Sequence, residues 1–198
     1  NTLSVLKKVR KNIKNILIIN NIKNLGKSRS VKQGLQKSKN KNVILIDSDL
    51  PYFEVLPEIL LRLNQNYDFV FVNRRHKKSV IKNKKLNFYQ LGRFLIGYIL
   101  SLVIKFTLNF DLNGVDTQSG LKGFKKSEDF KKLNFISEKF FLDLEMMFHY
   151  KMKNKKFFAI PVKYEIPHKS SIKLFSFKKN LVILKELFFV ISKLKKKY

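Results

Sequence analysis

The sequence predicts an α/β fold on a mostly parallel sheet, accompanied by amphipathic helices of the kind that lie in a membrane interface. Three patterns carry this. Short, wholly apolar runs alternate with helix-period segments, as strands buried on both faces do. Polar clusters follow directly on two of those runs, at Asp47-Ser48-Asp49 and Asn73-Arg74-Arg75. Two long segments, 88–109 and 174–198, are apolar apart from narrow polar stripes.

Each element has its own signal. Residues 2–12 place Leu3, Leu6 and Val9 on one helical face, with Asn1 or Thr2 as a cap. Ile16–Ile19 is a continuous apolar run and is expected to be a strand. A polar loop follows, then a helix over Ser30–Gln36 with Val31 and Leu35 one turn apart. Val43–Ile46 reads as a buried strand, 53–64 as a helix with Pro57 in its first turn, and Tyr67–Val72 as a third strand. Residues 76–87 form a charged linker.

The segment 88–109 puts Gln90, Arg93, Gly97, Ser101 and Lys105 on one stripe. Its uncharged core, Phe94 to Ile104, covers only about half of a ~30 Å bilayer core, so it suits an interface or a protein interior. The end of the chain repeats the theme. LVIL and LFFVI lie between polar positions that include Glu186, and the sequence closes on KLKKKY, the pattern of an anchor on an anionic surface.

The 198 residues carry 42 Lys+Arg against 14 Asp+Glu, a net charge of +28, so the partner is expected to be anionic. Only six of the basic residues are arginine, and the wealth of Lys, Asn, Ile and Phe points to an AT-rich coding sequence as part of the cause. With 44% hydrophobic residues the chain can bury a core and is not a disordered basic tail. Cysteine is absent, which excludes disulfides, thiolate zinc sites and Cys nucleophiles. No uninterrupted apolar run reaches about 18 residues, the length of a standard span. The charge alone would also suit a basic nucleic-acid- or membrane-surface-binding module without catalysis, but the aromatics are mostly Phe inside apolar runs, and no nucleic-acid partner is expected.

In open α/β sheets, ligands bind outside the carboxyl ends of the strands. Asp47 and Asp49 sit there, one residue apart, and can hold a hard divalent cation; the alternative is a turn that caps the next helix. Gly26-Lys27 precedes a helix N-terminus, where backbone can approach phosphate, although no P-loop pattern is present. Arg74-Arg75 can clamp a phosphate or form a solvated charge pair. Asp116-Thr117-Gln118-Ser119-Gly120 is an unusually polar stretch after the long apolar helix. Asp143 and Glu145 are two apart on a helix, so at most one can face a site. The three histidines have no metal-ligand spacing, and no GxSxG pattern occurs.

In their order along the chain these motifs resemble the polyprenyl-phosphate branch of the family 2 glycosyltransferases, and within it the dolichyl-phosphate β-glucosyltransferase subgroup. Residues 26–35, GKSRSVKQGL, are similar to GKGxAVRxGL, with Lys32 in place of Arg. Ile46-Asp47-Ser48-Asp49-Leu50 resembles the DADL metal motif, and Asn73-Arg74-Arg75 the GSR segment with Asn73 for Gly. Residues 116–124, DTQSGLKGF, resemble DTQCGFKxF almost position by position. Phe141-Leu142-Asp143-Leu144-Glu145-Met146 is similar to FDVELL, and Ile160-Pro161-Val162 with Ser170-Ser171 to EVPVxW and GSS. Asn1-Thr2 is similar to the tail of a DDGSTDNT motif, so the resemblance implies a chain lacking its first βαβ portion and the base-recognising Asp.

The resemblance implies a GT-A fold, with residues 1–165 as catalytic domain, including the interfacial helix at about 88–109, and 174–198 as a C-terminal amphipathic basic helix. It implies an inverting transfer of a sugar, glucose foremost, from a nucleotide-diphosphate donor such as UDP-glucose or GDP-mannose to a polyprenyl phosphate. The enzyme would work at an anionic membrane surface on the cytoplasmic face. Asp47 and Asp49 would hold Mg²⁺ or Mn²⁺, and with Lys27 and Arg74 the donor. Asp116 and Gln118 would line the reacting centre. Arg75, Arg93, Ser119 and Lys173 would hold the acceptor phosphate. That phosphate is already anionic, so no strong general base is needed. A glycosyltransferase with a non-lipid acceptor keeps the same donor motifs.

Overall fold

The computed structural model describes residues 2–13, 15–110, 116–131, 133–166 and 177–198. In chain order the elements are α1 (Thr2–Asn12), α2 (Lys27–Lys37), β1 (Asn42–Ile46), a 3-10 turn at Phe53–Val55, α3 (Leu56–Asn64), β2 (Phe69–Val72), β3 (Val80–Ile81), α4 (Phe88–Leu108), β4 (Leu121–Lys125), α5 (Glu128–Lys131), α6 (Leu142–Met152), β5 (Phe157–Ile160), β6 (Lys163–Tyr164) and α7 (Phe177–Lys197).

Four strands form one sheet in the order β1-β4-β2-β5. β2 and β5 pair in parallel, whereas β4 runs antiparallel between β1 and β2. Two of the three pairings are therefore antiparallel, and the expectation of a mostly parallel sheet is corrected to a mixed one. β1, β2 and β5 still point the same way, so their carboxyl ends share one edge, and β4 begins at that edge.

The sequence hid β4 because Lys122 and Gly123 interrupt its apolar run. Both have a reason to be there. A Cβ at Gly123 would lie 2.4 Å from Ile59 Cγ2 and 3.0 Å from Leu63 Cδ1, so the missing side chain lets α3 press on the sheet. Lys122 faces the other way and is buried against α6, where Asp143 meets it.

β2 is the spine of the core. All four of its residues are fully buried, each worth about 1.5–3 kcal/mol of burial. Phe69 and Phe71 join the large cluster under α4, α6 and α7, while Val70 and Val72 join the smaller one under α3. The alternation follows from the period of two in a strand. Phe69 stacks on Phe124 at 5.7 Å and meets Tyr150 edge-on at 5.1 Å.

Two other expectations change. Ile16–Ile19 pairs with no described strand, and Leu17 and Ile19 are exposed; a strand without a hydrogen-bonding neighbour has nothing to hold it. The charged stretch 76–87 is not wholly a linker, because Val80–Ile81 pairs in parallel with Lys163–Tyr164.

α4 opens with a capping box: the Asn87 side chain accepts from the Gln90 amide, and the Gln90 side chain accepts from the Asn87 amide. Asn109 closes it in the left-handed region. Gln90, Ile104 and Leu108 of α4 face the protein, and the rest of the polar stripe is partly exposed. Gln90 is buried and donates to the Ile166 carbonyl at 2.6 Å. Phe88, Leu91, Leu95, Ile96, Ile99 and Phe106 are exposed. The helix is long and apolar enough to cross a membrane by length and composition, a criterion that its eleven-residue uncharged core does not suggest.

Candidate active site

β1 delivers Asp47 to the shared carboxyl edge, and β2 delivers Asn73, Arg74 and Arg75. Residues 116–120 cross the same edge on their way into β4, and the Asp47 amide donates to the Gly120 carbonyl at 2.8 Å. Gly120 is required by that approach. A Cβ there would stand 2.9 Å from Asp47 Oδ2 and 2.6 Å from the Pro51 ring. The turn after Asp49 is strained: Leu50 (φ 49°) and Tyr52 (φ 59°) flank Pro51 in the left-handed region, at roughly 1–2 kcal/mol each. Non-glycine residues held this way cluster at ligand sites.

Lys27, the first residue of α2, follows Gly26 in a left-handed conformation (φ 81°). Its ammonium lies 2.8 Å from Asp47 Oδ1 and 3.8 Å from Asp143 Oδ2. Burial opposes the charge on Lys27, but Asp143, Asp47 and Asp49 outweigh it and hold its pKa above the ordinary lysine value. Asp143 is buried and meets the equally buried Lys122 at 2.8 Å. That approach is close but outside hydrogen-bond alignment, so charge rather than directed bonding joins the pair. The Lys122 ammonium donates instead to the Thr117 carbonyl at 3.1 Å. Asp47, Lys27, Asp143 and Lys122 thus form a ladder of alternating charge from solvent into the core.

Arg74 grips Asp116 from two sides, Nε to Oδ2 at 2.6 Å and Nη2 to Oδ1 at 2.8 Å, and its backbone amide adds a third bond at 3.1 Å. Its Nη2 also donates to the Gln118 carbonyl. The structure therefore gives Arg74, expected on the donor, to Asp116. Burial of Asp116 raises its pKa, but Arg74 more than reverses this and holds the carboxyl below the usual range. A depressed folded-state pKa adds stability that is complete above the unfolded value, near 3.9, and fades as pH falls below it. The melting temperature of the wild type is therefore expected to drop below about pH 4 more steeply than that of Asp116→Asn. Above that pH the variant should be less stable by about 3 kcal/mol, because Arg74 loses its partner. Thermal melts from pH 3 to 7 check both.

Asn73 is fully buried, and its side chain accepts from the Arg75 amide at 2.9 Å, an Asx turn that aims Arg75. Arg75 lies over the rings of Phe94 and Tyr98 on α4, 5.0 and 5.9 Å from their centroids. Arg93 lies one turn before Gly97 and shares that face of α4. Gln118 is partly exposed at the edge. Ser119, expected on the acceptor phosphate, is fully buried, and among the described residues its hydroxyl has no hydrogen-bond partner. Lys173 and Ser170-Ser171 lie outside the described residues.

A family model described as glycosyl transferase family 2 matches residues 1–116, more than half of the chain. The chain belongs to that family. No curated protein matches it. The GT-A fold follows from the family, and the mixed α/β sheet is the form it takes here.

In this family 2 glycosyltransferase the Asp47/Asp49 pair suits a divalent cation. Asp49 is exposed and Asp47 half-exposed, and both offer oxygen alone. Among the described residues no group of three or more His, Cys, Asp or Glu could hold a metal by itself. A site of two carboxylates completed by substrate phosphate is the arrangement Mg²⁺ favours.

Lys122 stands in the 116–124 motif without a role of its own, and the alternation of β4 turns it inward to Asp143. Only one of the two carboxylates of α6 faces the site, as their spacing predicts: Glu145 points away from Asp143 and accepts from the Ile136 and Ser137 amides. Glu186, expected on a solvated stripe, faces inward. Its carboxylate accepts from the Ser137 hydroxyl and the Glu138 and Lys139 amides, which ties α7 to the loop beside Gly26. The Ser28 amide in turn donates to the Lys139 carbonyl. Among the described residues, two cavities of about 580 and 710 Å³ lie away from this edge, lined by residues such as Lys39, Lys126 and Phe130 or Lys41, Lys125 and Lys156.

Proposed function

We propose that this glycosyltransferase moves a sugar, glucose first among the candidates, from a nucleotide-diphosphate donor to a polyprenyl phosphate at the cytoplasmic face of a membrane, with inversion and with Mg²⁺ or Mn²⁺. The observation that carries this reading is the apolar surface of α4. α4 buries Ile104 and Leu108 as a soluble helix would, but it also leaves Leu91, Leu95, Ile96, Ile99 and Phe106 exposed, so apolar residues run round most of its surface. Leu181, Val182, Leu184, Phe188 and Phe189 of α7, which packs beside it, are also exposed. Such a surface fits the headgroup and acyl boundary of a bilayer. Arg75 rests on that same helix and belongs to the same edge as Asp47 and Asp49.

In this reading Asp47 and Asp49 hold the cation and with it the donor diphosphate, and Lys27 steadies Asp47 and adds positive charge to that pocket. The cation supplies Lewis-acid stabilisation of the departing nucleoside diphosphate. Arg75 and Arg93 receive the acceptor phosphate. Asp116, locked by Arg74, and Gln118 border the sugar. The acceptor oxygen attacks the anomeric carbon as the bond to the diphosphate breaks.

The test incubates the protein on anionic vesicles with polyprenyl phosphate, Mn²⁺ and labelled UDP-glucose, GDP-mannose or UDP-N-acetylglucosamine. Label is expected in the lipid phase with one donor, and to vanish with EDTA. No lipid-phase label from any donor, with folded and vesicle-bound protein, would overturn the lipid acceptor.

A further inference from the structure

We propose that Gly97 is a positioning residue: it is the notch in α4 that seats the Arg75 guanidinium for an amphiphilic phosphate. The inference rests on the reading of Arg75 as the phosphate ligand and adds what places it.

The seat has three parts. Phe94 and Tyr98, one turn apart, have near-parallel rings (11°) with centroids 6.5 Å apart. The guanidinium stands against both, a favourable contact for a planar cation. Its Nη2 reaches down to the Phe94 carbonyl at 3.4 Å. The floor is residue 97, where a Cβ would come within 2.6 Å of Nη2. Any side chain there would force the guanidinium to retreat by about 0.8 Å, from 2.6 Å to an ordinary 3.4 Å contact.

The cost of a glycine in a helix interior gives this weight. Glycine costs about 1 kcal/mol relative to alanine there, so it signals a close approach when something occupies the space. α4 supplies its own comparison. A Cβ at Gly92, in the same helix, would meet nothing within 4 Å, so no neighbour explains that glycine.

Arg75 also has what a ligand-binding cation needs. Among the described residues no carboxylate lies within ion-pair distance of it, in contrast to Arg74. Burial draws its pKa down, which marks a guanidinium short of compensating negative charge. Beside it, Tyr98, Leu95 and Ile99 are exposed, so a phosphate on Arg75 would lead its apolar tail onto α4. The guanidinium is the far end of a flexible side chain, so it can withdraw with little cost to the fold, and what a side chain at 97 changes is where the charge sits.

The experiment measures binding of farnesyl phosphate to the full chain in detergent micelles, with farnesol as the uncharged probe. Gly97→Ala is expected to weaken farnesyl phosphate at least tenfold, leave farnesol unchanged and raise the melting temperature, because alanine favours the helix. Gly92→Ala should raise the melting temperature and leave both ligands unchanged. Arg75→Lys removes the group that alanine would strike, so Gly97→Ala added to Arg75→Lys should weaken binding no further. Two results separate the two claims. If Arg75→Ala binds farnesyl phosphate like the wild type, the phosphate role of Arg75 falls. If Arg75→Ala is weak but Gly97→Ala matches Gly92→Ala, Arg75 keeps its role and the positioning role of Gly97 is overturned. Equal losses from Gly97→Ala with and without Arg75→Lys would overturn it too, even if alanine proved destabilising.

Discussion

Asp47→Asn is expected to lower sugar transfer at least 10³-fold while the melting temperature moves by no more than a few degrees. The two effects separate because Asp47 stands at the surface: its side chain is 38% exposed and its Lys27 partner 40%. An exposed pair of this kind contributes about 0–1 kcal/mol to stability. Its proposed work on the donor is larger. Holding a cation against a leaving diphosphate supplies several kcal/mol of transition-state stabilisation, and each ~1.4 kcal/mol is tenfold in rate. Asparagine keeps the shape and one oxygen but loses the charge, so the loss should fall on the rate constant and persist at saturating metal. Initial rates of label transfer beside a thermal melt decide it. Transfer at the wild-type rate would remove Asp47 from the donor site, and a matching collapse of the melting temperature would make its role structural.

Much of this site could be read from the chain because its parts are local. A strand that ends in Asp-x-Asp, a glycine before a helix, and two arginines after an apolar run each announce themselves within a few residues, and the fold brings all three to one edge. What stayed hidden depends on contacts between distant segments. β4 was missed because Gly123 is shaped by Ile59 and Leu63, some 60 residues earlier. The pairing of Arg74 with Asp116 spans 42 residues, so a candidate donor ligand could not be told from a clamp. The stripe on α4 marks the period but not which residues meet the protein; Gln90 is buried together with the apolar Ile104 and Leu108, while Leu95 and Phe106 are exposed. Glu186 sat on a heptad of polar residues, and only the amides of 138 and 139 show that it faces inward. Ile16–Ile19 misled in the opposite way, because an apolar run makes a strand only when a neighbour offers its backbone.

Lys122→Met is expected to cost about 3–5 kcal/mol, and the double variant Lys122→Met/Asp143→Leu much less. The asymmetry comes from desolvation. Lys122 and Asp143 are both buried, so removing the ammonium strands a carboxylate in the core with Lys27 as its nearest described cation, 3.8 Å away. A stranded charge costs far more than the intact pair contributes, and replacing both members with apolar groups is often neutral. Against a typical total of 5–15 kcal/mol, the single change should lower the melting temperature by roughly 10 °C, at 2–4 °C per kcal/mol for a chain this size. The double variant carries the more telling signal. Its fold is restored, but Lys27 has lost Asp143, one of the charges that outweigh its burial and keep it protonated. Transfer by the double variant should therefore stay below that of the wild type, and its pH profile should fall away at a lower alkaline pH, as Lys27 releases its proton sooner. Urea denaturation of the two single variants and the double gives the coupling energy, and the pH–rate profile gives the functional half. A Lys122→Met protein as stable as the wild type would mean that the Lys122–Asp143 pair carries no weight in the core, and the ladder from Asp47 inward would end at Lys27.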